Sequence, residues 1–342
     1  MKKQYRILLI TFILIAMLVG CNSKSTRNDP SGNFAPALAP NINKTSGQDF
    51  SGNTDELPKV YMTARINPNG LMSVYKALGR EASGKVAVKI STGEPGNKHY
   101  LDPNLIKNLV QKVNGTIVEA NTAYGGKRAA TAMHYQVAKD HGFTAIAPVV
   151  ILDEKGDISL AVKNGKHLKE DLVGAAFKDY NFHIVLSHFK GHKMGGFGGA
   201  LKNMSIGYAS SRGKILIHSA GASTTRWGAE QNDFLESMAE AAKAVADAGG
   251  SNNFIYINVM NHLSVDCDCN GNPAPPQMAD IGILASLDPV ALDKACLDLI
   301  YASPDGKALI ERIESRNGSL TVDHAEILGL GKKKYELINI DA

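Results

Sequence analysis

Two clusters of reactive side chains stand out in this sequence. The first is Ser187-His188-Phe189-Lys190-Gly191-His192-Lys193-Met194-Gly195-Gly196-Phe197-Gly198-Gly199-Ala200-Leu201-Lys202-Asn203. Imidazoles ligate metals or carry protons, and lysines supply positive charge to a carboxylate or phosphate. Gly195, Gly196, Gly198 and Gly199 let the backbone approach a ligand closely, and backbone N–H groups at a loop or helix start bind anions. The second cluster is Asn261-His262-Leu263-Ser264-Val265-Asp266-Cys267-Asp268-Cys269-Asn270. Cys-x-Cys sets two thiols close enough to grip one soft metal, with harder ligands beside them. The same pair could close on itself as a turn staple. A smaller group, Gly213-Lys214 with His218, reads as the end of a strand; it joins the site only if the fold brings it there.

These clusters need a scaffold, and the pattern between them supplies one. Val86 to Ile90, Thr116 to Val118, Ile146 to Leu152, Phe182 to Leu186, Lys214 to His218, Phe254 to Val259 and Ile281 to Leu284 read as strands. Asp102-Pro103 and Asp288-Pro289 each offer an N-cap followed by proline at the first helical position. Helices are expected after both, from Ala129 to His141, from Asp233 to Ala248, and from Ala200 onward once the glycines end. Strand–helix alternation predicts an α/β fold: a mixed, mainly parallel sheet with helices on both faces. Ligands in such sheets gather at the C-terminal ends of strands, and both clusters follow strands.

The start of the chain carries an address. Lys2, Lys3 and Arg6 precede an apolar run from Ile7 to Val19, a basic region followed by a short hydrophobic one. Leu18-Val19-Gly20-Cys21 looks like a bacterial lipobox, in which the cysteine is lipidated and becomes the mature N-terminus. Residues 1–21 are therefore expected to be a lipoprotein signal, 22–57 a disordered tether rich in Asn, Ser, Gly, Thr and Pro, and 58–342 one α/β domain. The expected location is the bacterial cell envelope, outside the cytoplasm, held to the membrane through Cys21. The net charge is +4, of which the signal contributes three, so nothing calls for a nucleic-acid partner. Of the four cysteines, Cys296 falls on an apolar helix face and reads as buried packing, which leaves Cys267 and Cys269 for chemistry.

Several of these residues carry a resemblance. His188-Phe189-Lys190-Gly191-His192, Gly196 to Asn203, Gly213-Lys214 with His218, Asp266-Cys267-Asp268-Cys269, the run Asp280 to Asp293 and Gly329-Leu330-Gly331 resemble the DUF362 family from about Val60 to the C-terminus. That family is named for having no assigned function, and its members are described as iron–sulfur centre proteins, many with an appended ferredoxin module. This chain resembles a lipoprotein form without that module. Where relatives commonly place a cysteine after Lys202-Asn203 it has Tyr208, so no four-cysteine iron–sulfur cluster is expected.

Two function classes follow. In one, His188, His192, Cys267 and Cys269 bind a transition metal such as iron or zinc. Lys193, Lys202 and His218 then act on a small anionic substrate held by the glycines, with a redox partner in reach. In the other, the protein is a tethered, non-catalytic binder of an anionic small molecule, and the Cys-x-Cys is structural.

Overall fold

The structure, a computed structural model, describes residues 56–341. The signal, Cys21 and the tether up to residue 55 lie outside the described residues. The chain enters on β1 (Lys59–Thr63), α1 (Pro68–Ala77), β2 (Val86–Lys89), α2 (Pro103–Lys112), β3 (Thr116–Glu119), α3 (Thr131–Asp140) and β4 (Val149–Ile151). A side hairpin, β5 (Asp157–Ala161) and β6 (Glu170–Gly174), precedes β7 (Phe182–His188). Then come β8 (Lys190–His192), β9 (Gly196–Gly198), α4 (Ala200–Tyr208), α5 (Ser211–His218), α6 (Gln231–Gly249) and β10 (Phe254–Met260). The chain closes with β11 (Gly282–Ser286), α7 (Pro289–Ala302), α8 (Lys307–Glu314), α9 (Leu320–Ile327) and β12 (Glu336–Asn339).

Eight strands form one sheet in the order β12-β1-β11-β10-β7-β2-β3-β4. The run from β10 through β7, β2 and β3 to β4 is parallel, as is β1 with β12; β11 is antiparallel to both neighbours. The fold is thus α/β with a mixed, mainly parallel sheet. Side-chain alternation along its central strands divides two cores. Ile255, Ile257 and Val259 of β10, with Ile184 and Leu186 of β7, pack with Leu71, Ile106 and Leu109 of α1 and α2. Tyr256 and Met260, with Val185, pack on the other face with Leu201, Val245 and Leu292 of α4, α6 and α7. Helices cover both faces because both faces of these strands are apolar.

Both Asp-Pro starts act as expected: the Asp102 carboxylate accepts from the Asn104 N–H, and that of Asp288 from those of Val290 and Ala291. Two expectations need correction. The segment Lys214 to His218 is the second half of helix α5, not a strand. Ser210 caps that helix by accepting from the Gly213 N–H at 3.0 Å. A continuous apolar run such as Ile215-Leu216-Ile217 has no period to separate helix from strand, and here the cap decides. The third strand spans only Val149–Ile151, because Phe143–Ala145 coils into a 3-10 turn. Within the glycine stretch β8 and β9 pair as a small antiparallel hairpin, His192 opposite Gly196.

Candidate functional site

Because β2, β3 and β7 run parallel in adjacent positions, their C-terminal ends share one rim. Lys89, Glu119 and His188 close those three strands. Beside them lies a cavity of about 260 Å³, lined further by Arg128, Lys190, His192, Lys193, Lys202, Lys214, His218, Trp227, Cys267, Asp268 and Cys269. The three groups of reactive residues therefore do meet. Lys193, Lys202 and His218 all reach the cavity, the last from a helix rather than a strand end.

The charges on the wall are unequal. Lys89, Arg128, Lys190, Lys193, Lys202 and Lys214 face only two acids, Glu119 and Asp268. Glu119 is gripped by Lys89 at 2.8 Å and Arg128 at 3.2 Å. Burial alone would raise its carboxyl, but those two cations hold it well below the usual carboxylate range. Arg128 also pairs with Glu94 at 2.9 Å. Asp268 is used up in the same way, by Lys190 at 2.5 Å and His188 at 2.9 Å, which together hold it low against its burial. Lys214 donates to the Ala209 carbonyl. The Lys202 ammonium makes no hydrogen bond and no ion pair among the described residues. Burial first, then the charge of Lys190, push its ammonium down to about 7.

The histidines have different tasks. His188 directs Nδ1 to the Asp268 carboxylate and Nε2 to the Asn261 carbonyl at 2.6 Å. Both ring nitrogens are thus engaged with the wall of the site. It joins β7 to the Cys-x-Cys loop, and it stands outside the group of His192, Cys267 and Cys269 whose ligand atoms converge. His192 accepts the Gly195 N–H at Nδ1, 2.8 Å away, leaving its proton on Nε2. His218 donates from Nδ1 to the Lys214 carbonyl at 2.6 Å and keeps a lone pair on Nε2. Burial lowers it to about 4, so it is a neutral acceptor, stacked on Phe234 and meeting Trp227 edge to face.

Cys267 and Cys269 are joined as a disulfide, the first buried and the second half-buried. His192 and the two sulfurs offer ligand atoms within 4.8 Å of one another, so these three form a group that could hold a metal ion. As thiolates the sulfurs become donors only when the disulfide is reduced, and His192 only when its Nε2 proton is given up. A second such group, His167, Asp233 and Glu236, does not line the cavity, and the Lys166 ammonium sits 2.7 Å from Glu236.

The backbone does not bind anions in the way the glycines suggest. The Gly195 N–H serves His192, and Gly196 is paired with His192 in the hairpin. The first N–H groups of α4, those of Ala200 and Leu201, donate to Asp293 at 2.8 and 2.9 Å. Only Gly198 and Gly199 reach the cavity, as close-packed wall: a Cβ on Gly199 would lie 2.3 Å from Asp293. Side chains therefore carry the positive surface. Lys89, Glu119 and Arg128 also belong to the site, outside the two clusters that the sequence singles out. The available signal was a lysine at the end of Val-Ala-Val-Lys and a glutamate at the end of Thr-Ile-Val-Glu, ionic groups within buried strands.

An α/β protein with a cation-rich cavity at the strand ends is the class that fold and site define. The chain belongs to the family described as Domain of unknown function (DUF362), whose model matches residues 86–298. No curated protein matches it. Among solved structures it is similar to the lactate racemase apoprotein from Thermoanaerobacterium thermosaccharolyticum, at 15% identity and a TM-score of 0.37, covering 58% of this chain and 50% of that one. It is also similar to a Thermotoga maritima protein, at 15% identity and a TM-score of 0.42, covering 67% of this chain and 57% of that one.

Proposed function

We propose that this protein is an envelope lipoprotein, anchored through Cys21, whose cavity captures a small anionic molecule. The observation that supports this most is Lys202, a half-buried ammonium without a partner in a cavity where cations outnumber acids six to two. Holding such a charge away from water costs free energy unless an anion compensates it. Lys193 at the rim adds to the attraction. His218 offers a neutral lone pair in the same cavity, able to accept a hydrogen bond from a bound acid, and His192 a donor N–H. When the disulfide is reduced, Cys267, Cys269 and His192 are the residues that would hold a soft metal, iron or zinc. The metal would supply Lewis acidity or an electron. The two residues that stand ready without it are Lys202, to hold the anion, and His218, to accept a hydrogen bond from it.

The test is calorimetric titration of the purified full chain with inorganic phosphate and with malonate. At least one should bind. Lys202→Met should weaken that binding by about tenfold, roughly 1.4 kcal/mol, while Lys202→Arg retains most of it. Absence of binding by either anion, or equal affinity in Lys202→Met, would overturn the reading. Metal analysis of protein purified with and without reductant tests the second component: bound metal should appear only in the reduced sample and vanish in Cys267→Ser.

A further inference from the structure

The Cys267–Cys269 disulfide lies in the cavity wall and contributes little as a staple. A disulfide stabilises mainly by restricting the unfolded chain, and the effect grows with the length of the loop it closes. This one closes over a single intervening residue. That residue, Asp268, is already fixed by Lys190 and His188, both buried with it. The loop is therefore held with or without the sulfur–sulfur bond.

The surroundings instead suit its opening. Both sulfurs line the cavity, and the half-buried Cys269 is the more accessible. The cavity wall carries an excess of ammonium groups and the His192 Nε2–H, with a ring nitrogen of His192 within 4.8 Å of both sulfurs. A thiolate released there meets positive charge and a hydrogen-bond donor, the microenvironment that marks reactive cysteines rather than inert ones.

We infer that Cys267 and Cys269 form a redox-active pair that exchanges with low-molecular-weight thiols bearing an anionic group. The inference rests on the anion-binding reading of the same cavity. The anionic group would sit at Lys202, which lines the same cavity as Cys269. The thiolate of the ligand attacks Cys269 Sγ; the Cys267–Cys269 bond breaks and its electron pair stays on Cys267. A second thiolate attacks the ligand's sulfur in the mixed disulfide, releasing the ligand disulfide and leaving Cys269 as a thiolate. The two protons given up by the ligands end on the two protein sulfurs. Two ligand thiols are thus oxidised, and one protein disulfide is reduced to two thiols. The same steps run backwards from an anionic disulfide.

The experiment compares 2-mercaptoethanesulfonate with neutral 2-mercaptoethanol and cationic cysteamine, at equal thiolate concentration, on the oxidised full chain in detergent. Alkylation and mass spectrometry count the thiols released. The sulfonate should react about tenfold or more faster than cysteamine, with 2-mercaptoethanol between, the scale of electrostatic attraction in a charged cleft. Lys202→Met should shrink that ratio without preventing reduction by 2-mercaptoethanol, and high salt should shrink it too. A disulfide that stays intact with all three thiols in the folded protein, or equal rates for all three, would overturn the inference. Phosphate binding to Cys267→Ser/Cys269→Ser is read separately: if it persists while exchange selectivity is absent, the redox role fails and the anion site stands.

Discussion

Asp171 of β6 is wholly buried, and neither carboxyl oxygen finds a hydrogen-bond partner among the described residues. Burial pushes its acid up to about 8, against the opposing pull of Lys214 and of the nearby Leu172 N–H, which falls short of a well-formed hydrogen bond. The sign of the consequence follows. In the unfolded chain Asp171 loses its proton near 3.8, whereas in the folded protein it keeps it to about 8. Between those values the folded state binds more protons, so stability falls as pH rises through that window and levels off above it. Asp171→Asn preserves shape and hydrogen-bonding poverty but removes the ionisation. It should match the parent below pH 4 and exceed it by on the order of 1 kcal/mol or more at pH 8. Thermal melts across pH read this directly; a constant difference at every pH would refute it. At this scale the sequence was only partly readable. Lys193, Lys202 and His218 were recognised because they sit beside glycines or each other. Lys89 and Glu119 met only through strand pairing, and Asp171 carries no local sign of its isolation.

Helix α4 shows what is legible at the scale of one element. Its start after the glycines is visible in the sequence, since Ala200-Leu201-Lys202 are good helix formers and the glycines are not. Its cap is not visible, because Asp293 lies 93 residues away from Ala200. Asp293 is buried, holds the N–H groups of Ala200 and Leu201, and also accepts from Asn258 at 2.8 Å. Burial raises it to about 6. Asp293→Ala leaves three buried donors without an acceptor, and a cost of about 2–4 kcal/mol is expected in denaturant unfolding. Since Lys202 stands in the first turn of α4, the same change should weaken phosphate binding, with Asp293→Asn intermediate in both. Unchanged stability in Asp293→Ala would show that the cap is not what fixes the helix. Helix α5 failed to be read for the complementary reason: its apolar run is three residues long, too short to show a period.

For the molecule as a whole, the repeated alternation of strand and helix was enough to give a mainly parallel sheet. The β1 and β12 strands escaped notice because each pairs across nearly the full length of the chain, Val60 opposite Leu337. What the fold leaves to the sequence is where the protein works. We propose lipidation at Cys21, from Leu18-Val19-Gly20-Cys21 after a short apolar run with a basic start. Among the described residues no helix is long and apolar enough to cross a membrane; the proposed attachment is through acyl chains at that cysteine. One chain binds a bilayer only weakly, and stable anchoring takes two signals. Cys21→Ser should therefore move the protein from the membrane fraction to the soluble one, or leave it unprocessed at the mass of the full chain. The location also bears on the cavity: disulfides persist outside the cytoplasm and are kept reduced inside it. Rapid alkylation of intact cells should then find Cys267 and Cys269 largely protected in the parent protein. The same pair should be free when the first 21 residues are deleted and the domain stays in the cytoplasm. Full-length, uncleaved protein in the cytosol with both thiols open to alkylation would defeat the localisation proposal at both ends of the chain.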